Sequence, residues 1–168
     1  MNTDTIALRF ARADDLPEVL SLIRELAAYE RANGEVTVTL EELVEDGFGE
    51  HPLFRIILAV DREKILGMAF FFISYSTWKG KCLYLEDIIV REAYRGNGIG
   101  TQLFDEVIRL SYTMGAKRLQ WQVLDWNTPA IRFYEKYDAD IDRTWLDGKL
   151  TRAQLSKAME KINGAPDL

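Results

Sequence analysis

The stretch Arg95-Gly96-Asn97-Gly98-Ile99-Gly100-Thr101 joins an apolar run, Leu83 to Val90, to an amphipathic one. Closely spaced glycines let backbone N–H groups converge on a ligand, and a helix start carries about half a positive charge. Together they make a site for phosphate or pyrophosphate. The stretch lacks the Gly-Lys-Ser/Thr of a P-loop. It also misses the G-x-G-x-x-G spacing, and it follows three strand-like runs, where a dinucleotide fingerprint does not belong. A tight strand-to-helix turn is the plainer reading, but an arginine directly before the glycines favours an anion site. Just upstream stand two adjacent acids, Glu86 and Asp87. Neighbours on a strand point to opposite faces, so one of the two is expected to enter a cleft directly. A solvated surface pair is the alternative.

The elements that must position these groups follow from periodicity. Ile6 to Phe10 alternates as a short strand. Asp14 then caps a helix with apolar positions Leu16, Val19, Leu20, Ile23, Leu26 and Ala27, running to about Glu30. Thr39 and Glu42 form a capping box for a second helix ending at Gly47-Phe48-Gly49. Phe54–Val60, Lys64–Tyr75 and Lys81–Val90 read as an antiparallel meander. A helix from the glycine cluster carries Ile99, Leu103, Val107, Leu110 and Met114 on one face and stops at Gly115. Arg118–Leu124 reads as a strand. Asn127 caps the next helix, with Pro129 in its first turn. A shorter last strand is expected within Trp145–Thr151, then a helix capped by Thr151 and Gln154 that reaches Ile162, with fraying beyond. The order is β-α-α-β-β-β-α-β-α-β, a single mixed α/β domain over residues 1–168.

Composition narrows the classes. The 168 residues are 48% apolar and 29% charged, which excludes wholesale disorder. One cysteine, Cys82, excludes a disulfide framework and a zinc ribbon, and the single histidine, His51, excludes a His-rich metal site. No metal is expected. Cys82 reads as a small buried hydrophobe and His51 as a structural turn residue. A net charge of −6 disfavours nucleic acid and is compatible with a cationic small molecule. No apolar run approaches the ~20 residues of a membrane span. Met1–Phe10 lacks a signal peptide's pattern, so a cytoplasmic protein is expected.

Arg95 with Gly-x-Gly-x-Gly resembles the coenzyme A pyrophosphate loop of the GNAT acetyltransferase superfamily. Within it, Tyr29-Glu30, Glu45 to Pro52, Leu83-Tyr84-Leu85-Glu86-Asp87, Tyr94-Arg95-Gly96, Trp126-Asn127 and Phe133-Tyr134 resemble the spermidine/spermine (diamine) and thialysine N-acetyltransferases. The likeness runs from Ile6 to about Ala139. It implies the GNAT fold, a mostly antiparallel mixed sheet flanked by helices. It implies acetyl-CoA as co-substrate, a small primary amine as acceptor, and a homodimer.

It also implies roles. An amine with a pKa near ~10.4 must lose a proton before attacking a thioester. Glu86 is the residue implied on the amine side, acting through ordered water, and Tyr134 the acid that protonates the departing thiolate. Tyr137 competes for that role, and a core tyrosine is the bland reading. Ile88, Ile89 and Val90, at an interrupted strand end, would offer backbone partners to the donor. Arg95, Gly96, Asn97, Gly98, Ile99, Gly100, Thr101, Asn127, Ala130 and Tyr134 complete the donor site. Tyr29, Glu30 and Gln122 would line the acceptor side, and Trp78 and Trp126 either add faces for a cation or are buried core. Ser76 stands where the polyamine family carries an acid, and Asp138 where it carries glycine. Correspondence is poor from Ile141, so long polyamines are doubtful. Diamines and lysine-like amines remain open, as do a peptide amine and a coenzyme A-binding module without turnover.

Overall fold

A computed structural model describes residues 6–163. The chain divides into two compact units, one up to Gln122 and one from Val123.

In the first unit, the short alternating run Ile6–Phe10 forms β1 at the edge of a five-stranded sheet of order β1-β2-β3-β4-β5. β2 (Arg55–Asp61), β3 (Lys64–Ser76) and β4 (Gly80–Val90) extend it antiparallel, and β5 (Leu119–Gln120) joins parallel to β4. One face carries α1 (Leu16–Tyr29) and α2 (Leu40–Phe48). Leu16, Val19, Leu20, Leu22 and Leu43 from these helices pack with Ile56, Leu58, Val60, Met68 and Ile89. Each such side chain contributes about 1.5–3 kcal/mol by leaving water. On α3 (Ile99–Thr113), Ile99, Leu103 and Val107 are buried as the spacing predicts, Phe104 joins them, and Leu110 and Met114 are only half-buried.

The caps fall where the sequence places them. The Thr39 hydroxyl accepts from Glu42 N–H at 3.1 Å, and the Glu42 carboxylate accepts from Thr39 N–H at 2.8 Å. Gly115, just past α3, has φ of 67°, a conformation that favours glycine. The start of α1 differs slightly: a 3₁₀ turn over Ala13–Asp15 precedes it, and Asp15 takes the N-cap position.

Two strand expectations change. β5 spans Leu119–Gln120 rather than Arg118–Leu124. Its ladder holds Leu83↔Leu119 and Tyr84↔Gln120, then stops one pair short of a register shift in β4. A bulge bends and twists its strand, which ends regular pairing.

In the second unit, α4 (Thr128–Glu135) and α5 (Arg152–Asn163) are the regular elements. Among the described residues no strand forms within Trp145–Thr151. The expected cap of α5 is present, with Gln154 N–H donating to the Thr151 hydroxyl at 3.3 Å and Thr151 N–H to the Gln154 side chain at 2.8 Å. The fraying expected over 164–168 lies outside the described residues.

Candidate active site

The glycine turn opens α3 directly. Gly96 and Gly98 have φ of 78° and 76°, and a Cβ added at either would meet nothing within 4 Å. Space is therefore available there, and glycine is required for the backbone conformation. The first internal bond of α3 joins Gln102 N–H to Gly98 O at 3.1 Å. A helix's first amides have no partner inside the helix, so Ile99, Gly100 and Thr101 present theirs at the open end. The Asn97 side chain fixes the turn by donating to Tyr94 O at 3.0 Å and Arg95 O at 3.2 Å.

β4 supplies the carboxylates through a bulge. Phe71 pairs with Leu85 and Phe70 with Asp87, leaving Glu86 as the extra residue. Cross-strand partners share a sheet face. Phe70 packs against the core under α1 and α2, whereas Phe71 lies outside that cluster. Leu85 and Asp87 therefore occupy opposite faces, which regular alternation forbids for residues two apart. The bulge turns Asp87 toward the α1 side.

Glu30, at the C-cap of α1, lies close enough to raise the Asp87 pKa. Burial, then the charge of Glu86, then that of Glu30 push the Asp87 carboxyl up to about 7. Burial also raises Glu30 and Glu86. Three carboxylates in one partly dry place attract a cation and favour holding a proton near neutral pH. The end of α1 is set by a Schellman closure, with Ala32 N–H donating to Ala27 O at 2.8 Å and Arg31 N–H to Ala28 O at 3.2 Å. Arg31 takes the left-handed position, at φ of 62°. Arg91, just past β4, pairs with Glu18 and Glu25 and so ties α1 to the strand end.

In the second unit, Asn127 is buried and its side-chain oxygen accepts from Ala130 N–H at 3.3 Å. Tyr134 is buried on α4, its ring edge-on to Phe133 at 5.3 Å between centroids. Phe133 also meets Tyr137, at 5.7 Å.

The sequence model of the Acetyltransferase (GNAT) family matches residues 17–138. The chain belongs to the GNAT acetyltransferase family. It is 38% identical over 167 residues to the thialysine N-epsilon-acetyltransferase of Bos taurus, covering 95% of this chain and 98% of that protein. It is 37% identical over 162 residues to a human spermidine/spermine N(1)-acetyltransferase-like protein 1, covering 90% of this chain and 23% of that one. An integron cassette protein from the mobile metagenome of V. cholerae shares the fold, with a TM-score of 0.75 at 24% identity, over 93% of this chain and 98% of that one.

For a GNAT acetyltransferase, the open glycine turn fits a donor diphosphate, since nothing crowds Gly96 or Gly98. Val90 O is already engaged, accepting from Arg95 Nε–H at 2.9 Å. From Leu85 onward β4 pairs on its β3 side alone among the described residues. Gln122 is exposed, beyond the end of β5. Trp78 is 83% and Trp126 40% exposed, so neither is buried core. The Ser76 hydroxyl accepts from Trp78 N–H and Lys79 N–H, which caps the turn after β3. Asp138 adopts φ of 55°, a left-handed conformation that favours glycine. Cys82 is buried, as expected. Reasoning from sequence missed Asp87 as a partner of Glu30, because the bulge is a property of two strands together. Among the described residues no helix is long and apolar enough to cross a membrane.

Proposed function

We propose that this GNAT acetyltransferase transfers the acetyl group of acetyl-CoA to a primary amine of a small lysine-like, diamine or polyamine acceptor, by direct attack. The observation that carries the acceptor class is that Glu86 and Glu30 both lie close enough to Asp87 to raise its carboxyl pKa. Three carboxylates hold an ammonium and disfavour an anion. The thialysine-acting relative supports the lysine-like end of that range.

Acetyl-CoA, when bound, supplies an activated thioester carbonyl. The amides from Gly96 to Thr101, with Arg95 and Asn97, hold the diphosphate, and the backbone of Ile88, Ile89 and Val90 meets the pantetheine arm. Asn127 and Ala130 complete the donor contacts. Tyr29, Glu30 and Gln122 line the acceptor side. Glu86 takes the ammonium proton through water, helped by Asp87, which holds a proton near neutral pH. The amine nitrogen then bonds to the carbonyl carbon as the carbon–sulfur bond breaks, and the proton still surplus on nitrogen passes through water to replace the one that Tyr134 gives up. Tyr134 gives its proton to the sulfur, a role carried by the Phe133-Tyr134 motif.

We place the enzyme in the cytoplasm as a homodimer. The exposed Leu155, Met159 and Ile162, spaced as one face of α5, support self-association. Thiol release from acetyl-CoA, followed over a panel of lysine analogues, diamines, polyamines and peptides, tests the function. Release with small amines is expected. Release with peptides alone, or with none of the panel, would overturn the assignment.

A further inference from the structure

Arg95 is held at two points. Its Nε–H donates to Val90 O at 2.9 Å, and its guanidinium carbon lies 4.9 Å from the centroid of the Tyr29 ring. Among the described residues, the two terminal nitrogens of Arg95 make no hydrogen bond. The stem is thus anchored to the end of β4, the plane rests on an aromatic ring, and the donor end is left for a ligand.

The backbone that carries the ring is itself fixed. Tyr29 is the last residue of α1, and the Schellman closure over Ala27 to Ala32 sets its backbone. The Arg91 pairs with Glu18 and Glu25 hold the same helix to the strand end from which Arg95 departs. A surface arginine loses rotamer freedom when it binds an anion, and one oriented beforehand loses less. Tyrosine suits this task, because a guanidinium stacks on its face through the ring quadrupole and its own planarity.

We propose that Tyr29 is a positioning residue for the acyl donor: its ring orients the Arg95 guanidinium toward the donor diphosphate, so the end of α1 serves the donor as well as the amine. The proposal rests on donor docking at the Arg95–Thr101 loop. It assigns Tyr29 an action through Arg95 that no acceptor contact would produce.

The test compares coenzyme A binding by calorimetry to the wild-type chain, Tyr29→Leu and Tyr29→Phe, together with kcat/KM for acetyl-CoA and for acetyl-pantetheine, which lacks the diphosphate. Tyr29→Leu is expected to weaken coenzyme A binding by about two- to fivefold, and Tyr29→Phe, which keeps the ring, to restore it. The ratio of kcat/KM for acetyl-CoA to that for acetyl-pantetheine, in which any shared effect on the amine cancels, should fall in Tyr29→Leu and stay at the wild-type value in Tyr29→Phe. In an Arg95→Gln background, Tyr29→Leu should have no further effect on coenzyme A. Unchanged coenzyme A binding in Tyr29→Leu, or an equal loss with both donors, overturns the proposal. Should Tyr29→Leu fail to fold, Tyr29→Gln carries the same comparison. A wild-type chain that binds no coenzyme A overturns the docking itself, which separates that failure from this one.

Discussion

Asp87 sits opposite Phe70 in the β3–β4 ladder and shares the sheet face on which that ring packs beneath α1 and α2. Its carboxyl is thereby drawn into the core side, near Glu30 and beside Glu86. In the unfolded chain it titrates near the ordinary 3.8, and in the fold at about 7. Between those values the folded chain binds more protons than the unfolded one. Stability therefore falls as pH rises through that window and levels off above it.

Asp87→Asn removes this penalty. Relative to the wild type, the variant should melt higher at pH 8 by a few degrees, about 2–4 °C per kcal/mol recovered in a chain of this length. The gain should shrink toward pH 4, where the wild-type group is protonated. Thermal melts of both proteins across that range check it. A constant difference between the two curves would mean that Asp87 titrates normally.

Glu86 is the residue that the bulge leaves unpaired, and its carboxyl is raised by partial burial. Glu86→Gln keeps the shape and removes the base. The expected loss in kcat/KM for the amine is on the order of a hundredfold. Coenzyme A binding should remain at the wild-type value, since Glu86 is not assigned to the donor. Parallel losses in both would assign it to the fold instead.

Tyr134→Phe removes the proposed proton donor and leaves the ring against Phe133. The turnover number should drop by about a hundredfold or more, with little change in the KM for acetyl-CoA. Tyr137→Phe, three residues on, should retain most of the activity. The reverse result would transfer the acid role to Tyr137.

Local signals carry well from this sequence, and paired ones do not. Thr39 with Glu42, Thr151 with Gln154, and Asn127 before Pro129 each hold their cap within four residues, so the chain itself displays them. The glycine turn is likewise local, because the positive φ at Gly96 and Gly98 demands the residue type found there. The bulge at Glu86 is different. It depends on how β3 aligns with β4, and nothing in Leu83–Val90 alone marks the extra residue. The shortened β5 follows from the same cause, since its partner bends just past Tyr84. Tyr29 and Arg95 stand far apart in the sequence, and their stacking requires the sheet to bring the end of α1 to the end of β4. Apolar residues at Trp145, Leu146 and Leu150 suggest a strand, yet they are exposed and unpaired by any ladder among the described residues.

The most direct measurement is calorimetric titration of coenzyme A into the wild-type chain and into Gly98→Ala. An alanine at a φ of 76° is strained by about 1–2 kcal/mol and displaces the amides that open α3. Saturable binding of one coenzyme A per chain, weakened about tenfold in Gly98→Ala while the melting profile stays cooperative, is the predicted result. Absence of binding to the wild type, or equal affinity in the two proteins, would contradict the account.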